Sequence, residues 1–160
     1  MFDEILGLPA HPLIIHFAVV LTPLLVGVAV VYALLPRWRA NTAWALVLLS
    51  LAAPVAVFAA RQSGESLKEA RFGSAEGELA TRISAHESFA TPLLLSVLGL
   101  TVAALLLVYA TSPARASVGR DRFGRPVTLV LTALTVVLAV VAGYFVFQAG
   151  DSGARAVWGM

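Results

Sequence analysis

An all-α membrane protein is the fold class this sequence predicts: one domain over 1–160, a four-transmembrane-helix bundle with both termini extracytoplasmic. Three observations predict it. Of the 160 residues, 59% are hydrophobic and only 12% charged, against roughly 25% charged in soluble domains, and the mean hydropathy is +0.89. Four apolar runs, 13–35, 43–60, 89–111 and 127–149, contain no Asp, Glu, Lys or Arg. Each is near the roughly 20 residues that cross a bilayer as a helix, and what is left over is too short and too divided for a soluble catalytic domain.

The run 13–35 opens after Pro12, a residue suited to the first turn of a helix because its missing N–H costs nothing there. The acidic start and the length of the run speak against a cleaved signal peptide. The connection to the second run holds Arg37 and Arg39 without an acid, and the connection to the fourth holds Arg115, Arg120, Arg122 and Arg125 against Asp121. By the positive-inside tendency both face the cytoplasm. Asp3 and Glu4, the long second connection 61–88 and Asp151 with Arg155 then lie outside.

That second connection is patterned as helix. Ser66 with Glu69, and Ser84 with Glu87, fit helix-starting capping boxes. The preferred reading is one helix from Ala75 into the third run, because Leu79, Ile83, His86, Ala90, Leu93 and Val97 fall on one stripe. Pro23 and Pro54 are expected to kink their spans. Small residues at helical spacing, Thr128, Thr132, Thr135, Ala139 and Gly143 in the last run and Ser96, Gly99 and Ala103 in the third, predict close helix packing. After the last run, Gly150, Ser152 and Gly153 predict a sharp turn that folds Ala154 to Trp158 back over the interface.

Cysteine is absent and the two methionines are Met1 and Met160, so disulfides, thiolate chemistry and sulfur ligation are excluded. A net charge of +2 with scattered arginines gives no case for nucleic acid. The chemistry therefore rests on the three histidines, His11, His16 and His86, all expected at the extracytoplasmic rim. His16 lies about 6 Å deeper than Pro12 and shares a helical face with Gly27, which predicts that it points into the bundle. Ionisable groups within spans are functional candidates, although a histidine that merely locks two helices is the ordinary alternative.

Two such imidazoles suit a haem b iron, His16 and His86 being the expected ligands, with Arg61, Arg82 or Arg155 beside the propionates. Alternatively His11, His16 and His86 with Glu65, Glu87 and Asp151 suit a borderline divalent transition metal. The residues do not choose between these, and no H-E-x-x-H, E-x-x-H or triad pattern assigns a catalytic residue. Enzymatic activity is left open.

The stretches Leu8 to Phe17, Ser63-Gly64-Glu65, Ile83 to Glu87 and Gly150 to Trp158 together resemble the bacterial predicted-membrane-protein family known as domain of unknown function 2231. The resemblance covers nearly the whole chain and implies a four-helix bundle in the bacterial plasma membrane with no established activity. The family pattern often has histidine where this chain has Asp151, which implies a polar, metal-compatible position there. Two functions compete: a redox protein holding haem or metal, and a non-catalytic accessory or assembly subunit that pairs with other membrane subunits or with itself. A transporter ranks lower, since no span holds a charged residue and no inverted repeat is evident.

Overall fold

The structure is a computed structural model and describes residues 4–5, 8–73, 76–112 and 122–158. A two-residue antiparallel pairing, β1 (Glu4–Ile5) with β2 (Leu8–Pro9), leads into α1 (Ala10–Leu34). A 3₁₀ turn at Pro36–Trp38 reverses the chain into α2 (Arg39–Phe72). Then come α3 (Gly77–Ser88), α4 (Ala90–Thr111) and α5 (Arg125–Trp158). Among the described residues, four helices are long and apolar enough to cross a membrane, as the apolar runs predict.

The helices form a ring in the order α1, α2, α4, α5, with α1 and α4 on a diagonal and α3 lying against α5 and α4. Hydrophobicity does not distinguish inside from outside here. Leu25, Leu46, Leu100 and Leu107 are fully buried, while Leu24, Leu51, Leu95 and Leu129 are at least half exposed, because lipid solvates leucine as well as a core does. What is enriched inside is small residues. Ala18, Ala29, Ala53, Ala104, Ala139 and Ala142 are buried between helices, and the stripes that hold Ser96, Ala103, Thr128 and Thr135 are buried as well. Gly99 packs on Leu138 of α5 and Gly143 on Val26 of α1.

Several local expectations are corrected. Residues 61–72 are not a separate connection but the end of α2, which at 34 residues is about 50 Å long, well beyond the roughly 30 Å apolar layer. Ser66 starts no helix; its hydroxyl donates to the Gln62 carbonyl at 3.1 Å inside α2. Ser84 likewise lies within α3, and the helix entering the third span breaks only at Phe89, whose backbone stays helical at φ −86°, ψ −16°. No turn forms at Gly150, Ser152 and Gly153, because α5 runs through all three. Its i, i+4 pair of Asp151 and Arg155, 2.8 Å apart, supports a continuing helix. The side chain of Trp158, expected to cover the interface, lies outside the described residues.

At the end of the bundle opposite the N-terminus of α1, Arg39 donates to the carbonyls of Tyr32 and Ala33, which closes the last turn of α1. Tyr32 is buried and its hydroxyl lies 2.8 Å from Thr111 Oγ1, which itself donates to the Leu107 carbonyl at 2.7 Å. The threonine proton is thus committed, and Tyr32 must be the donor that ties α1 to α4 across the diagonal. Tyr32→Phe is expected to cost about 1 kcal/mol, a fall of about 2–4 °C in thermal unfolding measured in mild detergent.

Candidate functional site

Because α2 and α5 both overrun the apolar layer at the same end, they wall in residues that would otherwise stand in water. His11, in the first turn of α1, is half-buried against α2: its Nδ1 lies 3.0 Å from Ser63 Oγ. His86, in the last turn of α3, is half-buried against α5, with Nδ1 3.0 Å from Ser152 Oγ. Each serine donates backwards within its own helix, Ser63 to the Ala60 carbonyl at 2.9 Å and Ser152 to the Ala149 carbonyl at 3.2 Å. A hydroxyl has one proton. With that proton on the carbonyl, each serine accepts from an imidazole Nδ1–H, and the lone pair of each neutral ring is left on Nε2.

Both rings line one cavity of about 300 Å3, the lower end of the range that small ligands occupy. Ile15, Ala18, Val57, Leu93 and Val146 form its apolar wall, and Arg61, Glu65, Lys68 and Glu87 also line it. Those charges are paired: Arg61 with Glu65 at 2.9 Å, and Lys68 with Glu87 at 2.5 Å, the latter joining α2 to α3. The rings approach the helices closely at two glycines. A Cβ on Gly64 would stand 3.1 Å from His11 Cε1, and one on Gly153 3.1 Å from His86 Cε1.

The expected pairing of His16 with His86 is not what the fold brings together. His16 is exposed on the outer face of α1, as is Gly27, so the two do share a face, but it is the one turned away from the bundle. His11 takes the place beside His86. Arg82 and Arg155, expected beside a propionate, do not line the cavity; Arg82 is 2.6 Å from Glu78 and donates to the Arg155 carbonyl, and Arg155 pairs with Asp151. Among the described residues, no three His, Asp or Glu side chains gather to hold a metal ion. Glu65 and Glu87 reach the cavity but are engaged by cations, and Asp151 lies outside it. The partners that sequence reasoning missed are Ser63, Gly64, Ser152 and Gly153.

Burial, followed by the charge of the nearby His86 ring, holds the His11 imidazole below its ordinary value of 6.5, against the Ala60 carbonyl, which favours protonation. The unfolded chain therefore takes up this proton first as pH falls through about 6.5, and the folded state loses stability from there down to the folded pKa. Thermal unfolding in detergent is expected to be pH-independent in this respect above about 7 and to shift to lower temperature by about pH 5.5. His11→Gln should reduce that shift.

A family model described as predicted membrane protein, domain of unknown function 2231, matches residues 7–160. Comparison with curated proteins and with solved structures finds no match.

Proposed function

The chain belongs to the domain of unknown function 2231 family of predicted membrane proteins, and from that premise we propose a small redox protein of the bacterial plasma membrane that holds a haem b iron between His11 and His86. One observation carries this reading: two imidazoles, each held at Nδ1 by a hydrogen bond with a helix serine, line the same apolar cavity, and with Nδ1 as donor each neutral ring keeps its lone pair on Nε2. Ring nitrogens fixed in this way by a hydrogen bond on the other nitrogen are how proteins prepare histidine ligands. An iron porphyrin needs only these two protein ligands, whereas a lone divalent ion needs more, and among the described residues no three His, Asp or Glu side chains gather to supply them. With no cysteine, attachment is non-covalent.

Bound haem would supply one-electron transfer. The chain's own part is to hold and shield: Ser63 and Ser152 fix the rings, the apolar wall excludes water, and Arg61 and Lys68 supply cations for acidic substituents. Arg37, Arg39, Arg122 and Arg125 at the opposite end of the bundle favour an extracytoplasmic site by the positive-inside tendency. The test is the absorption spectrum and iron content of the purified full chain, alone and after haemin addition. A Soret band with about one iron per chain, retained in His16→Ala, is expected. Absence of both, with haemin added, sinks the proposal and leaves the accessory-subunit reading.

A further inference from the structure

The two cradles are the same object built twice. In α2, Val57-Phe58-Ala59-Ala60-Arg61-Gln62-Ser63-Gly64 precedes the overhang; in α5, Val146-Phe147-Gln148-Ala149-Gly150-Asp151-Ser152-Gly153 occupies the corresponding place. The same Val, Phe, Ala, Ser and Gly recur in the same order and spacing. They also make the same contacts: serine to the carbonyl three residues back, serine to Nδ1 at 3.0 Å, and glycine to Cε1 at 3.1 Å.

The correspondence extends through the membrane. At the one shift that superposes His11 on His86, the buried Ala18, Thr22, Leu25, Ala29 and Tyr32 of α1 fall on the buried Leu93, Val97, Leu100, Ala104 and Leu107 of α4. At the shift that superposes Gly64 on Gly153, the buried Leu46, Ser50 and Ala53 of α2 fall on the buried Thr135, Ala139 and Ala142 of α5. Each match holds at a single shift, although toward the overhang the buried Ala56, Val57, Ala60 and Ser63 fall on half-buried Phe145, Val146, Ala149 and Ser152; apolar composition alone does not set it, since exposed leucines abound on the same helices. Both hairpins start from the same end of the bundle, and corresponding helices lie on the diagonals of the ring. The relation is therefore a pseudo-two-fold axis along the helices, the parallel kind of internal repeat.

The cavity lies on that axis, since it is lined by corresponding pairs: His11 with His86, Ala18 with Leu93, and Ala60 with Ala149. We infer that the chain is a tandem of two ligand-holding hairpins, and that its site takes one ligand across the pseudo-two-fold axis, bound equivalently through Nε2 of His11 and of His86. The ligand class is a molecule with two opposed open positions for imidazole nitrogen, and the identification of it as an iron porphyrin rests on the function proposed above. Charge breaks the symmetry. Arg61 corresponds to Gly150, so this cation of the cavity lining has no match in the second hairpin.

The test separates the cradles from the ligand. In the full chain labelled with ¹⁵N-histidine, reconstituted in phosphatidylcholine nanodiscs without haemin at about pH 7.5, ring nitrogen shifts are expected to show His11 and His86 alike, protonated at Nδ1 and bare at Nε2. Ser63→Ala should alter only the His11 pattern and Ser152→Ala only that of His86. Protonation at Nε2 of either ring, or unlike patterns for the two, overturns the duplicated cradle. With haemin, each serine variant should weaken binding about tenfold, by the same factor for both. Equal ring patterns without haemin binding would refute the haem reading while the equivalence of the cradles stands, and haemin binding that depends on only one of the two serines would refute the equivalence.

Discussion

His86→Ala is expected to weaken haemin binding by about a hundredfold or more and to abolish the low-spin spectrum of an iron held by two imidazoles, and His11→Ala is expected to do the same. With the His86 ring gone, Ser152 Oγ still donates to the Ala149 carbonyl at 3.2 Å, and Ser63 Oγ still donates to Ala60 at 2.9 Å when His11 is gone. No buried hydroxyl is orphaned, so the cost to the fold is one ordinary hydrogen bond, about 1 kcal/mol, against at least 2.7 kcal/mol or so in ligand affinity at a hundredfold. His16→Ala removes an exposed side chain on the outer face of α1 and should leave the titration unchanged. Haemin titration together with thermal unfolding of the same samples checks the separation: a histidine variant that unfolds early and binds weakly in proportion would make the ring structural, and an unaffected titration would remove it from the site.

The four spans are legible in the sequence because uninterrupted apolar length is a direct requirement of the bilayer. The facing of those spans is not. His16 and Gly27 share a side of α1, and glycine is a reasonable sign of close packing, yet both lie outward. In lipid the inner and outer faces are equally apolar, so only complementarity with a neighbouring helix decides between them, and here the buried alanines of α1, Ala18, Ala29 and Ala33, carry that role. His11 reads as a surface residue for a related reason. The charged stretch after Ala60 looks like a loop, but Arg61 and Glu65 are an i, i+4 pair on a continuing α2, and it is this overhang that half-buries the ring. The glycines of the tail read as a turn because glycine in a helix is unfavourable by propensity; Gly153 is there for space, not for flexibility. The repeated Val-Phe-x-Ala-x-x-Ser-Gly was open to inspection throughout.

Gly153→Val and Gly64→Val test the steric half of the cradle, and large losses are expected from both. A Cβ alone would stand 3.1 Å from Cε1 of the facing imidazole, closer than carbon atoms normally approach, and the γ-methyls of valine add bulk that a half-buried ring cannot clear by a few tenths of an ångström. The ring must leave its rotamer, which breaks the hydrogen bond between Nδ1 and Ser152 or Ser63 and moves the imidazole from its place in the cavity lining. Overpacking of this kind costs about 1–3 kcal/mol and the lost hydrogen bond about 1 more. Haemin affinity should fall at least about tenfold, because a ligand atom displaced by an ångström no longer reaches the metal. Ala at either position should fall between wild type and Val, since the ring needs to yield only slightly. The control is Gly27→Ala, where nothing lies within 4 Å of the added carbon; there the better helix former should be neutral or stabilising by up to about 1 kcal/mol. If Val at Gly64 and Gly153 leaves binding at wild-type strength while Gly27→Ala behaves as stated, the rings are not held by the close approach of these helices, and the preparation of Nε2 for a ligand must come from elsewhere in the bundle.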